Sequence, residues 1–389
     1  MEPTDLRVAL FSGNYNYVRD GANQALNRLV GYLLRQGVHV RVYSPTVEKP
    51  AFPATGDLVS VPAIPIPSRE EYRLPIALPS RVKRDLAVFN PNVVHVSSPD
   101  IVAHRAVTWA RRNKIAAVAS VHTRFETYLA YYHLSWIEPD VRAILRRFYH
   151  RCEVVMAPSE SMAAVLRAQR MNRDIAIWAR GIDREQFNPD RRDMEWRRSI
   201  GLADDELVIA FLGRIVMEKG LDVFADAVHA FAERGLKHRV LVIGDGPARP
   251  FFEQELPHAI FLGQQTGEAL SRALASADVL VNPSTTETFG NVTLEAMACA
   301  VPVVAAMASG TSSIVNDGTN GVLVDSTDIE EFADALEAYA RDPELRSRHA
   351  AAGVSFAQTM DWDRINSAVI RTYRHAIVKR ERLKRITGR

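Results

Sequence analysis

Pro283-Ser284-Thr285-Thr286-Glu287-Thr288-Phe289-Gly290-Asn291-Val292-Thr293-Leu294-Glu295-Ala296-Met297 is the most informative stretch of this 389-residue chain. Residues 279–281 ahead of it form a short apolar run, and a helical pattern starts at about Asn291. The order is therefore strand, polar loop, helix. Backbone N–H groups at such a helix start can hold phosphate or sugar oxygens. Glu287 lies before the helix and Glu295 about one turn inside it. Ionised carboxylates only accept hydrogen bonds, so the pair can grip hydroxyls of two different rings. The plainer alternative is one helix-start Glu favoured by the macrodipole and one surface Glu.

Working outward, the second half of the chain repeats this strand-to-helix alternation. Strand runs are Leu207–Leu212, 240–243, 260–262, 279–281, 301–305 and Val322–Val324. The first ends in Gly213-Arg214-Ile215-Val216-Met217-Glu218-Lys219-Gly220. A guanidinium and an ammonium at a strand end suit a diphosphate whose departing charge must be stabilised. A solvated Arg and Lys on a helix start is the alternative. The run 240–243 ends in Gly244-Asp245-Gly246-Pro247. Its glycines would let the backbone approach a flat ligand, with Pro247 opening a helix. A plain strand-to-helix turn fits the same residues.

The first half reads similarly. Residues 6–12 form a strand run ending in a loop with Gly13 and Gly21. A helix follows with Leu26, Leu29, Val30, Leu33 and Leu34 on one face, closed by Gly37. Further strands fall at 38–43, Val93–Val96, 116–121 and 153–157, the last of this half, with a helix near Ile101–Arg112. The Pro-rich residues 45–80 predict an irregular excursion without a central strand. His122 directly follows a strand. A neutral imidazole there could hydrogen-bond a sugar hydroxyl or steady positive charge at a reacting carbon; a structural histidine is the alternative. Asp20-Gly21-Ala22-Asn23 precedes the first helix, where Gly21 permits close approach and Asn23 offers an amide to an acceptor. The pattern is doubly wound α/β in two halves, joined through 181–189 with helix-rich residues 191–200 after it. No Gly-x-Gly-x-x-Gly dinucleotide fingerprint occurs, which weighs against a nicotinamide oxidoreductase.

Residues 1–190 carry 25 Lys/Arg and 18 Asp/Glu, residues 191–360 carry 14 and 25, and residues 361–389 carry 9 and 3. The net charge of +2 thus hides a basic first half and tail around an acidic middle. No stretch approaches the ~20 apolar residues of a membrane span. The start lacks a signal-peptide pattern, and only Cys152 and Cys299 are present. A reducing cytoplasm is the expected location.

Together these residues resemble family 4 of the retaining glycosyltransferases, over essentially the whole chain. The core of the resemblance is Glu287-x7-Glu295 with Phe289-Gly290 inside it. Gly213-Arg214 with Lys219, Gly244-Asp245-Gly246-Pro247, and Gly181-Ile182-Asp183 with Phe187 complete the ordered set. Departures are Asp20-Gly21 and Ser309-Gly310 where the family has Gly pairs, and Ala300 where Gly is usual. Trp178-Ala179-Arg180-Gly181-Ile182-Asp183 and the run from Phe289 to Glu295 look most like bacterial α-mannosyltransferases and glycolipid synthases.

The resemblance implies the GT-B fold, with two Rossmann-like domains facing a central cleft: residues 1–185 on the acceptor side and 186–360 on the nucleotide-sugar side. Residues 361–389 would be a helix returning to the first domain, with Asp361-Trp362-Asp363 as cap and anchor rather than a metal site. It implies that Arg214 and Lys219 hold the donor diphosphate and that Glu295 binds the ribose. Glu287 and the amides of Phe289, Gly290 and Asn291 would bind the transferred sugar, with Gly246 also on the donor side. His122 would contact that sugar, and Gly21 and Asn23 would border the acceptor. The activity expected is transfer of a hexose, mannose or a related sugar, from a GDP- or UDP-sugar, with retention and without a metal or cofactor. A membrane lipid or lipid-linked glycan is the expected acceptor, and nucleic acid is not a partner. A soluble acceptor, or an epimerase or hydrolase of the same fold, stays open.

A non-enzymatic two-lobed sugar-binding protein is a further alternative; such proteins are normally exported. Arg142, Arg146 and His150 fall on one face of a helix, with Arg147 and Arg151 beside them. Tyr128, Tyr131, Tyr132 and Trp136 lie just upstream, and Lys379, Arg380, Arg382, Lys384 and Arg385 are in the tail. These suit peripheral contact with the anionic inner face of the cytoplasmic membrane.

Overall fold

The computed structural model describes residues 2–66, 69–123 and 135–387. The chain divides into two units, Met1–Arg180 with Trp362–Arg389, and Gly181–Asp361.

Among the described residues the first unit has nine strands. They are β1 (Arg7–Phe11), β2 (His39–Ser44), β3 (Asp57–Ser60), β4 (Ala63–Ile66), β5 (Arg69–Pro75), β6 (Val93–Val96), β7 (Ala116–Ser120), β8 (Val154–Ala157) and β9 (Ile175–Ile177). Seven form a parallel sheet in the order β3-β2-β1-β6-β7-β8-β9. The central strands β6, β7 and β8 are buried throughout, which is why they read as Val and Ala runs rather than alternating patterns. The order reverses between β1 and β6, and there Gly13 N–H donates to Ser98 Oγ at 3.2 Å.

The Pro-rich segment departs from its expectation. It contains β3 and the antiparallel hairpin β4–β5. β3 is an edge strand bonded to β2 alone, and the hairpin stands outside the main sheet. Their prolines, Pro65 and Pro75, therefore break no central ladder. β9 also lies beyond the expected last strand, pairing only with β8.

The C-terminal helix, Trp362–Thr387, belongs to the first unit. Val369, Tyr373 and Ala376 are fully buried in the core beneath the sheet. Lys379 Nζ donates to Glu153 O at 2.6 Å and to Asp174 Oδ2 at 2.9 Å, and Arg380 faces the buried Glu153 carboxylate at 3.4 Å. Asp363 pairs with Arg35 at 2.7 Å, and the Arg28 guanidinium lies over the Trp362 ring.

The second unit holds β10 (Leu207–Leu212), β11 (His238–Ile243), β12 (Ile260–Phe261), β13 (Val279–Asn282), β14 (Val303–Ala306) and β15 (Val322–Val324). They form a parallel sheet in the order β12-β11-β10-β13-β14-β15, which reverses between β10 and β13. That places the loops after β10 and β13 side by side at the switch point, where open α/β sheets bind ligands.

The helix Asn291–Ala298 ends in a left-handed cap. Val301 N–H bonds Ala296 O at 2.9 Å and Ala300 N–H bonds Met297 O at 3.1 Å. Ala300 sits in that cap at φ 57°, where a Cβ is penalised. Ala300→Gly is expected to stabilise the second unit by roughly 0.5–1 kcal/mol after allowing for the freer unfolded chain. Ala300→Val should destabilise it. Calorimetric melting of both variants checks the pair of signs.

Candidate active site

In the second unit, Arg214 leaves the end of β10 and Lys219 closes the short 3-10 turn Met217–Lys219. That turn is tied to the loop after β13, because Thr286 Oγ1 donates to Glu218 O at 3.2 Å. Lys219 Nζ donates to Glu287 Oε1 at 2.5 Å. The Glu287 side chain is largely buried, at 14% exposure, so the carboxylate holds a flexible ammonium in one place. Glu287 is expected to grip a sugar; here it also positions the lysine. Its own backbone is pinned in turn: Gly310 N–H donates to Glu287 O at 2.8 Å and Ser309 Oγ donates to it at 3.1 Å. A Cβ at Gly310 would lie 2.5 Å from the Phe289 nitrogen. Only the second glycine of the family's pair is sterically required, and Ser309 adds a donor where a glycine would add none.

Phe289 is buried, Gly290 is the N-cap of Asn291–Ala298, and no side chain caps that helix. Its first-turn N–H groups thus start beside Glu287, and Glu295 lies on its second turn. Asn282 Nδ2 donates to Thr293 Oγ1 at 3.1 Å, locking the helix to the end of β13. Gly246 also has a packing role. A Cβ there would meet Ile215 O at 2.3 Å, so the residue lets two protein loops nest, whatever ligand lies beyond. Ile215 N–H bonds Asp245 O at 3.0 Å across the same contact. Pro247 does not open a helix; Arg249–Glu255 does, with Pro250 in its first turn.

In the first unit, Asp20 caps Gly21–Arg35 by accepting from Asn23 N–H at 2.8 Å. This explains Asp in place of a glycine. Asn23 is buried, and its Nδ2 donates to Val18 O at 2.8 Å and Asp20 Oδ2 at 3.0 Å. These two contacts of the side-chain amide nitrogen fold the loop. Gly21 remains at the loop's end as the first helical residue.

His122 follows β7 as expected, and both its ring nitrogens are engaged. Arg180 Nη2 lies 2.9 Å from Nδ1, and Nε2 lies 2.8 Å from Ser120 Oγ. Ser120 Oγ is 2.9 Å from His95 Nε2, and His95 Nδ1 is 2.8 Å from the Tyr373 hydroxyl. Burial, reinforced by Arg180 and His95, holds His122 well below the ordinary histidine value. Burial alone pulls His95 down to about 3. Both rings are neutral at physiological pH. The imidazole is therefore held in place by protein groups at both nitrogens. Arg180, Ser120, His95 and Tyr373 were not singled out from sequence; Arg180 stands inside a quoted motif, but nothing local shows its partner. Among the described residues no cluster of three His, Cys, Asp or Glu side chains forms a metal site, and Cys152 and Cys299 are buried free thiols.

Comparison with known proteins bears on this geometry. Residues 19–186 match the family model described as Glycosyltransferase Family 4, and residues 206–342 match Glycosyl transferases group 1. A GDP-mannose-dependent alpha-mannosyltransferase of Corynebacterium glutamicum is 28% identical, over 97% of this chain and 91% of that protein. One from Mycolicibacterium smegmatis is 31% identical, over 86% and 87%. The sulfoquinovosyl transferase SQD2 of Arabidopsis thaliana is 30% identical, over 92% and 71%. Among solved structures, sucrose-phosphate synthase from Thermosynechococcus elongatus superposes with a TM-score of 0.79 at 20% identity, over 96% of this chain and 99% of that one. With two doubly wound parallel sheets, a helix that completes the first, and the ordered motifs in place, the chain belongs to glycosyltransferase family 4 and is a glycosyltransferase of the GT-B fold.

Proposed function

We propose that this enzyme transfers mannose or a related hexose, with retention, from a GDP- or UDP-sugar to a membrane lipid or lipid-linked glycan. The observation that carries the donor half is the grouping of Arg214, Lys219 and Glu287 at the switch point of the second sheet. The likeness to GDP-mannose-dependent enzymes supports mannose as the first sugar to test. The acceptor hydroxyl oxygen bonds to the anomeric carbon on the face that the diphosphate leaves. The carbon–oxygen bond to phosphate breaks, and the departing nucleoside diphosphate takes the hydroxyl proton. Arg214 and Lys219 stabilise the charge growing on that leaving group, the work a metal does in other transferases. Glu295 holds the ribose, and Glu287 with the first-turn amides of Asn291–Ala298 holds the sugar.

A panel of nucleotide sugars, read by release of nucleoside diphosphate with and without a lipid extract, tests this. Arg214→Ala and Lys219→Ala should each cost on the order of 2–4 kcal/mol of transition-state stabilisation with the fold intact. Turnover within threefold of wild type in both would remove the diphosphate assignment. Rapid sugar release or epimer formation from donor alone would favour the hydrolase or epimerase.

The lipid half rests on the surface of the first unit. Trp136 is 76% exposed and Ile144 is 59% exposed, at the start and middle of the region ending in Glu138–Tyr149. Tyr128, Tyr131 and Tyr132 lie outside the described residues. Several basic residues expected to face a membrane are used internally instead: Arg146 donates to Gln169 O, Arg151 to Thr108 Oγ1, and Arg142 pairs with Glu138. The reading therefore leans on Trp136, Ile144 and Arg147, and on Arg382, Lys384 and Arg385 of the C-terminal helix. No described helix is long and apolar enough to cross a membrane. Co-sedimentation with vesicles should require anionic lipid, weaken with added salt, and fall in a Trp136→Ser, Ile144→Ser, Arg147→Glu variant. Equal sedimentation with neutral and anionic vesicles would point to a soluble acceptor.

A further inference from the structure

Arg180 is the least expected charge in the first unit. It is 4% exposed, and no carboxylate among the described residues reaches it. Its Nη1 donates to Trp178 O at 2.9 Å and Ala179 O at 3.0 Å, both within two residues, and its guanidinium lies 4.9 Å above the Trp178 ring. Among the described residues its one long-range polar contact is His122 Nδ1, 58 positions away. Burying a cation without an anion is costly. Two local carbonyls and an indole face lessen that cost without needing an arginine there.

A guanidinium has donors and no acceptor, so His122 Nδ1 must be the acceptor in this contact. The ring proton is then on Nε2 and is donated to Ser120 Oγ. Ser120 Oγ accepts there and keeps its own proton for His95 Nε2, the arrangement that puts the His95 proton on Nδ1 toward the Tyr373 hydroxyl. Arg180 thus sets the His122 tautomer at one end of a hydrogen-bonded line that runs from the end of β7 to the C-terminal helix. Among the described residues, the titratable groups recorded near His122 are His95 from β6 and Arg180 from the segment after β9, with Tyr373 of the C-terminal helix reached through that relay, and the Trp178 ring packs on it edge-on. Each is neutral or cationic, so nothing among them favours an imidazolium.

We propose that Arg180 is a positioning residue for sugar transfer: it fixes His122 as a neutral Nε2–H imidazole in one orientation, so that His122 acts neither as a base nor as a cation. This rests on the reading that His122 serves the transfer. An imidazolium next to a reacting carbon that gains positive charge would oppose the reaction. A ring free to flip would also release its hold on Ser120 at the end of β7.

The experiment uses the full-length enzyme with selective 15N-histidine labelling, the His122 signal being assigned by His122→Gln. Wild type should show the Nε2–H tautomer from pH 8 to pH 5 and a kcat without a histidine limb in that range. Arg180→Met should show a second tautomer or protonation of His122 above pH 5, a new acidic limb in kcat, and a loss of at least tenfold in kcat with KM changed less than threefold. Arg180→Lys, which keeps a donor and a charge, should restore the single tautomer and at least part of the rate. An unchanged His122 signal and flat profile in Arg180→Met overturns the proposal. If that variant fails to fold, Arg180→Lys with a mixed tautomer and wild-type kcat overturns it equally. Full activity in His122→Gln would instead defeat the reading beneath it, leaving the tautomer result to stand by itself.

Discussion

A carbon atom added to Gly246 would come within 2.3 Å of the Ile215 carbonyl, and one added to Gly244 within 1.8 Å of the Gly213 carbonyl. This contact between two loop backbones governs the second unit's functional edge. It sets where Arg214 leaves β10, and so where the turn Met217–Lys219 begins. That turn is bonded to the loop after β13, which carries Glu287, and Glu287 holds Lys219. Gly310 closes the series by packing on Phe289. The charged groups are placed by backbone packed on backbone, which is stiffer than any side-chain contact that could replace it. Such stiffness suits groups that must already be oriented when charge develops on a leaving group.

The strand ends of this unit were legible because the signal is local. A short apolar run followed by glycine and then charge marks a parallel strand running into a ligand-bearing loop. A strand run followed by a polar residue likewise placed His122 after β7, and a loop with Gly21 placed Asn23 at the first helix. What these signals could not convey was whether each polar group faces a substrate or the protein. Asn23 bonds residues three and five positions away, a loop geometry that composition alone does not distinguish from an open amide. His122 has one partner two residues away, Ser120, and another 58 residues away, Arg180, while His95 meets Tyr373 from 278 residues away. β3 and β9 were missed for a related reason. Each is three or four residues long and pairs on one side only, so its pattern is set by a neighbour and not by its own periodicity. The Pro-rich stretch holds no central strand, as its prolines imply, yet it is not irregular, because edge strands and hairpins tolerate proline where central strands do not.

Charge is similarly ambiguous until the structure is seen. The basic excess of the first half and tail suggested a surface for anionic lipid. Part of it turns inward: Lys379 and Arg380 fasten the C-terminal helix to Glu153, Asp174 and the backbone of the sheet. Arg146 and Arg151 brace neighbouring helices, at Gln169 and Thr108. A count of lysine and arginine overstates what a membrane would meet, and the exposed Trp136 and Ile144 are the better guide.

The C-terminal helix also dictates an order of assembly. The first sheet is nearly complete by residue 180, yet Val369, Tyr373 and Ala376 of its core lie beyond the entire second unit in sequence. Until the ribosome has passed them, the underside of β6 and β7 is uncovered and His95 lacks its tyrosine. The second unit, contiguous from Gly181 to Asp361, has no such wait. Synthesis from the N-terminus ordinarily favours the earlier domain; here the nested, later-made unit can finish first. The earlier one must keep an apolar face shielded for the time it takes to translate about 200 residues, on the order of 10–40 seconds at ordinary elongation rates.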